Sequence, residues 1–186
     1  MNVVFTTVSS QSEVSQILDL QSNNLALALS PEVAKADGFV TVQHDPDVLW
    51  RMNQHTPSII AKDGDLVLGY ALIMPPSFAP EVPILEPMFN LLETLERNGV
   101  PIGHQSRWFV MGQVCVREGF RGKGIFEGMF LKMRETCKEE FDFTLTEVAL
   151  SNTRSLRAHE KVGFKPFYDY QEDLTEEAWR MVILDF

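Results

Sequence analysis

The sequence predicts an α/β fold in which helices pack against a mixed β-sheet, and three observations lead there. Short apolar, β-branched segments alternate along the chain with segments whose apolar residues recur at helical spacing. A strand, a glycine-rich turn and a helix follow one another directly in residues 108–137. The 186 residues are 45% hydrophobic and 23% charged, enough apolar material for one domain with a substantial core, so residues 1–186 are expected to form a single domain.

The elements follow in order. Val3–Val8 reads as a strand, and Ser10-x-x-Glu13 is a capping box opening a helix with Val14, Ile17 and Leu18 on its apolar side. Ser30-Pro31 and Asp45-Pro46 each pair an N-cap with proline at the first helical position, which predicts short helices over Pro31–Asp37 and Pro46–Asn53. Ser58–Lys62 and Leu66–Met74 flank Asp63-Gly64, a pair suited to a tight hairpin turn.

Six of the ten prolines then fall within Pro75–Pro101, marking Pro75–Arg107 as an insertion. It contains a helical stretch, Pro87–Arg97, with Met88, Leu91, Leu92 and Leu95 on one side. A surface cover, a homodimer contact and a substrate lid are all open for it.

Beyond the insertion, Trp108–Val116 is a strand, and the helix after residue 124 carries Ile125, Phe126, Met129, Phe130, Met133 and Cys137 on one face. Phe143–Leu150 is a further strand. Asn152 caps a helix that Gly163 ends, and Phe164–Tyr170 and Trp179–Phe186 supply two more strands.

Charge and composition exclude several functions. With 16 Lys and Arg against 26 Asp and Glu the net charge is −10, which disfavours a nucleic-acid partner. Apolar runs such as Leu66–Met74 fall short of the ~20 residues that cross a bilayer, and Met1–Ser10 has no basic leader, so the expectation is a cytoplasmic protein without a membrane partner. Cys115, Cys137, His44, His55, His104 and His159 show no metal-ligand spacing, so neither a metal site nor a disulfide framework is expected.

The turn at 117–124 carries the chemistry. Glycines 119, 122 and 124 let a ligand approach the backbone, and the N–H groups that open the next helix lack intrahelical acceptors and suit phosphate oxygens. Arg117, Arg121, Lys123, Lys132 and Arg134 against Glu118 and Glu127 make this stretch locally basic in an acidic chain. A P-loop would need glycine at Arg117 and a hydroxyl at Gly124, and a dinucleotide fingerprint would need glycine at Glu127. Neither holds.

Arg121-Gly122-Lys123-Gly124-Ile125-Phe126 resembles the [Gln/Arg]-x-x-Gly-x-[Gly/Ala] loop of the GNAT superfamily of acyl-CoA-dependent N-acyltransferases, with Phe126 departing from its usual small residue. The segment from Asn152 to Phe164 is similar to that superfamily's Asn-x-x-Ala-x-x-x-Tyr-Glu-x-x-Gly-Phe. The resemblance implies a mostly antiparallel central sheet with helices on both faces. It also implies acetyl-CoA as co-substrate, no metal, and a small-molecule or peptide amine as acceptor. Val114, Cys115 and Val116 would pair with the pantetheine arm. The amides of Gly122, Lys123, Gly124, Ile125 and Phe126 would hold the pyrophosphate with Arg121 nearby, and Asn152 and Ser155 would face the arm near its thiol.

Glu147 lies five residues before Asn152, the spacing at which ribosomal-protein-alanine acetyltransferases of this superfamily carry a catalytic glutamate, which implies a general base; a strand glutamate paired with a cation is the alternative. His159 stands in the slot of the superfamily's acidic tyrosine, and either a proton donor or a neutral packed histidine fits there. Cys115 reads as a small core residue rather than a nucleophile. Glu81, Glu86, Glu93 and Glu96 would favour a cationic acceptor. Two readings follow: an N-acetyltransferase working by direct attack of a primary amine, and a catalytically silent acyl-CoA-binding module acting as sensor or partner-binding subunit.

Overall fold

Serine, aspartate and proline at the helix starts set the early elements. In the computed structural model, which describes residues 2–25, 39–40, 42–171 and 177–186, strand β1 (Val3–Thr7) leads into helix α1 (Gln11–Asn24). Ser10 Oγ accepts from the Glu13 N–H while the Glu13 carboxylate accepts from the Ser10 N–H, so the capping box forms in both directions. The helix expected over Pro31–Asp37 lies outside the described residues. Asp45 caps α2 (Pro46–His55) by accepting from the amides of Asp47 and Val48.

Strands β2 (Ile59–Asp63) and β3 (Leu66–Met74) pair with Asp63 opposite Leu66, which leaves Gly64 and Asp65 as the turn, one residue later than expected. Gly64 takes φ of 60°, the conformation that favours glycine.

The insertion holds 3-10 turns at Pro76–Glu81 and Pro83–Leu85, helix α3 (Glu86–Leu92), and a small hairpin of β4 (Glu96–Arg97) and β5 (Val100–Pro101). The helix expected over Pro87–Arg97 therefore stops at Leu92. Asn98 and Gly99 turn the chain with φ of 58° and 77°, and this Asn-Gly hairpin signal outweighs helical spacing. The remaining elements are β6 (Trp108–Val116), α4 (Ile125–Cys137), β7 (Phe143–Ala149), α5 (Thr153–Lys161), β8 (Lys165–Gln171) and β9 (Ala178–Asp185).

Seven strands form one sheet in the order β1-β2-β3-β6-β7-β9-β8, antiparallel throughout except for β6 beside β7. One face is covered by α1 and α2, with Val14, Ile17, Leu20 and Leu49 packed on Ile60, Tyr70 and Leu72. The insertion covers the same face further along, where Phe78, Leu85, Met88, Leu92 and Ile102 meet Trp108, Val110, Phe143, Leu145, Met181 and Ile183. Burial of this much apolar side chain makes the segment part of the core. The opposite face carries α4, whose Ile125, Met129, Phe130 and Met133 pack on Ile59, Ala61, Leu68, Phe109 and Met111.

The site follows from one interruption. β6 and β7 pair only where Trp108–Val110 meet Phe143–Leu145, and beyond that the two strands are not bonded to each other. The sheet opens there, flanked by Gly112–Val116 on one side and Thr146–Ala149 on the other. No helix among the described residues is long and apolar enough to cross a membrane, and no group of three or more His, Cys, Asp or Glu among them would hold a metal ion.

Candidate active site

Gly119, Gly122 and Gly124 all take positive φ, at 78°, 72° and 77°, and so fold the link from β6 to α4 into a tight turn. Gly124 is the N-cap of α4 and no side chain caps that end, so the first amides of the helix keep their donors for a ligand. A Cβ added at Gly122 or Gly124 would meet nothing within 4 Å, which makes the turn an open cradle. An open cradle of uncapped amides at a helix N-terminus fits a diphosphate.

From this cradle a cavity of about 330 Å³ runs between the end of β6 and the flank of α5. It is large enough for an extended small ligand. Of the residues singled out in the sequence, Val114, Cys115, Val116, Arg121, Gly122, Gly124, Ile125, Phe126 and Ser155 line it. Lys123 does not; its ammonium sits 5.2 Å from the centroid of the Phe120 ring. Arg121 Nε donates to the Val116 carbonyl at 3.1 Å and its Nη2 donates to Asn24 Oδ1 at 2.7 Å. Arg154, Arg157 and Lys161 of α5 add positive charge along the far wall, where Lys161 Nζ also meets Glu127 Oε1 at 2.6 Å.

A smaller cavity of about 70 Å³ adjoins the first, with Val114 and Ser155 bordering both. It lies in the opening between β6 and β7, and Glu147, Asn152, His159, Gln113 and Trp179 line it. Glu147 lies on the sheet face that packs Phe143 and Leu145, whereas its neighbour Val148 packs on the α4 face. The opening thus has Glu147 on one side of the sheet and α5 on the other. Glu147 is half-buried, and its Oε2 accepts a hydrogen bond from the Tyr170 hydroxyl of β8.

Asn152 caps α5, its Oδ1 accepting from the Ser155 N–H at 3.1 Å. His159 is 2% exposed, with the rings of Phe126, Phe130 and Phe164 edge-on around it at centroid distances of 5.4, 6.0 and 5.1 Å. Its Nδ1 lies 2.8 Å from the Ser155 carbonyl, so Nδ1 carries the hydrogen of the neutral ring. Nε2 is buried without a hydrogen-bond partner among the described residues. Burial pushes the imidazole down to about 4, against a smaller opposing effect of the Ser155 hydrogen bond. At neutral pH Nε2 therefore holds no proton to give, which does not suit the acid role the sequence suggests for this slot.

Cys115 turns toward the core beneath α1, and burial pushes its thiol up to about 11, far from a nucleophilic thiolate. Glu81, Glu86, Glu93 and Glu96 line neither cavity; Glu81 pairs with Arg51, and Glu93 with His104.

Sequence reasoning did not single out Tyr170, Asn24, Arg157 or Lys161. Arg154, Arg157 and Lys161 stand at positions i, i+3 and i+7 of one helix, a spacing that would have revealed a basic stripe. Tyr170 carried no local signal, because only strand pairing brings it to Glu147.

Solved structures with this fold include the NatC complex bound to Gag peptide and CoA, at 16% identity over 100% of this chain and 99% of that one, with a TM-score of 0.63. Others are yncA of Salmonella typhimurium with its cofactor acetyl-CoA (12% identity, 98% and 93% covered, TM-score 0.62) and the ribosomal-protein-S18-alanine N-acetyltransferase of Escherichia coli (9%, 99% and 94%, 0.61). At these identities the likeness is one of fold. Among curated proteins none matches in sequence. A model of the acetyltransferase (GNAT) family matches residues 30–164, well over half of the sequence, and the chain belongs to that family.

Proposed function

We propose that the protein is an N-acetyltransferase that passes the acetyl group of acetyl-CoA to a primary amine by direct attack. The observation that carries this reading is the adjacency of the two cavities: an amide cradle suited to a diphosphate at one end, and a carboxylate at the other, joined past Val114 and Ser155. When bound, acetyl-CoA supplies an activated thioester.

Each remaining part belongs to the chain. Uncapped amides at Gly124–Phe126 hold the diphosphate, and Arg154 and Arg157 add positive charge beside it. The edge of β6 beyond Val110, not bonded to β7, offers backbone groups to the pantetheine amides and to a carbonyl oxygen that gains negative charge. Glu147 takes the proton that an alkylammonium, with an ordinary pKa of about 10.4, must lose before it attacks, directly or through one water. His159 holds its ring neutral and packs the helix pair rather than donating a proton. A proton donor would assist departure of the CoA thiolate without being indispensable, since a thiol's ordinary pKa of about 8.5 already makes the thiolate a fair leaving group.

The NatC neighbour was solved with a peptide and the Escherichia coli neighbour acts on a ribosomal-protein alanine, so peptide N-termini belong in the acceptor panel beside small amines. A silent CoA-binding module is the second reading, favoured by the missing proton donor at His159. Thiol release from acetyl-CoA with a panel of amines separates the two. The enzyme reading predicts amine-dependent release that Glu147→Gln lowers at least about a hundredfold while CoA affinity holds. Binding of CoA without release for any amine would favour the silent module.

A further inference from the structure

We infer that Tyr170 is a positioning residue for Glu147, and this rests on the reading of Glu147 as the base. The two residues are not on neighbouring strands. β9 runs between β7 and β8, with Glu147 opposite Met181 and Tyr170 opposite Trp179. Strands two places apart stand about 10 Å apart, so only two long side chains on the same face can meet across the middle one.

Tyr170 and Glu147 do so, and the Tyr170 hydroxyl donates to Glu147 Oε2. The half-buried Tyr170 ring packs against the cluster that contains Phe143, Leu145 and Met181, and this packing limits where the ring lies while the hydroxyl projects from its end. Trp179, between them on β9, lines the same small cavity as Glu147.

A glutamate side chain has three torsions, and one facing a cavity at the opening of a sheet has several ways to point. Tying one carboxylate oxygen to the hydroxyl of that packed ring selects the orientation aimed at the acceptor. Phenylalanine keeps the ring and its packing but removes the donor. Aspartate at 147 is one methylene short of the reach.

The test is a double-mutant cycle on steady-state kinetics, with thiol release as the readout. Tyr170→Phe should lower kcat by between about tenfold and a hundredfold, the range expected when a reacting group is misplaced, and leave the KM for acetyl-CoA unchanged. In a Glu147→Gln background the same change should add no further loss, because the group it positions is gone. A Tyr170→Phe protein with unaltered kcat, or equal losses in both backgrounds, would overturn the proposal while leaving Glu147 as base. An unaltered kcat in Glu147→Gln alone would instead remove the base reading, and the positioning role with it.

Discussion

Arg121 Nη2 lies 2.7 Å from Asn24 Oδ1, and the same guanidinium donates through Nε to the Val116 carbonyl at 3.1 Å. The glycine turn is thereby tied at once to the end of β6 and to the last turn of α1. A planar guanidinium with donors in fixed directions can hold both acceptors, and a lysine ammonium cannot reproduce that geometry.

Arg121→Ala should therefore lower folding stability by about 2 kcal/mol, the scale of hydrogen bonds to a charged group, and weaken CoA binding as the turn loosens. Arg121→Lys should recover only part of either. Urea unfolding and CoA titration on the three proteins check this; an alanine variant with unchanged midpoint and affinity would show that the brace carries no weight.

Gly124 and Gly99 both sit at φ of 77°, and neither has an atom within 4 Å of where a Cβ would stand. Alanine at either position costs about 1–2 kcal/mol, because the strain is in the backbone rather than in a clash. Only Gly124 lies in the cradle. Gly124→Ala should thus lower CoA affinity as well as stability, whereas Gly99→Ala should lower stability alone. Equal CoA affinities in the two variants, measured by calorimetric titration, would contradict the placement of the ligand at the turn.

Two buried histidines give the fold a pH dependence of defined sign. Burial pushes both His44 and His159 down to about 4, while in the unfolded chain each titrates near 6.5. Between those values the unfolded chain binds the proton and the folded one does not. The stability tied to each neutral ring is complete above pH 6.5 and is lost as pH falls toward 4. Over the window from 6.5 to 5 the loss is about 2 kcal/mol per histidine. Unfolding free energies from denaturant titrations at pH 7 and pH 5 should show a fall that His159→Gln reduces by about that amount; an identical fall in both proteins would mean the ring is not held neutral.

How much was legible in the sequence depended on how local the cause was. The cradle was legible because glycine conformation and a helix N-terminus are settled within eight residues, 117–124. The capping box at Ser10 and the caps at Asp45 and Asn152 were legible for the same reason. The hairpin at Asn98-Gly99 was equally local, but the leucine spacing up to Leu95 extended the expected helix to Arg97, over the first strand of that hairpin. The state of His159 was not legible, since its burial comes from Phe126 and Phe130 on α4 and Phe164 beyond α5 acting together. Nor was the meeting of Tyr170 with Glu147, which exists only because β9 inserts between β7 and β8.

The central claim is that backbone amides at the start of α4 hold the diphosphate of CoA. Amide chemical shifts recorded as CoA is titrated in test it most directly, with pantetheine, which has no diphosphate, as the comparison. The largest changes should fall on Gly122, Gly124, Ile125 and Phe126 with CoA and be absent there with pantetheine. Changes centred elsewhere, or equal at these four amides for both compounds, would contradict it.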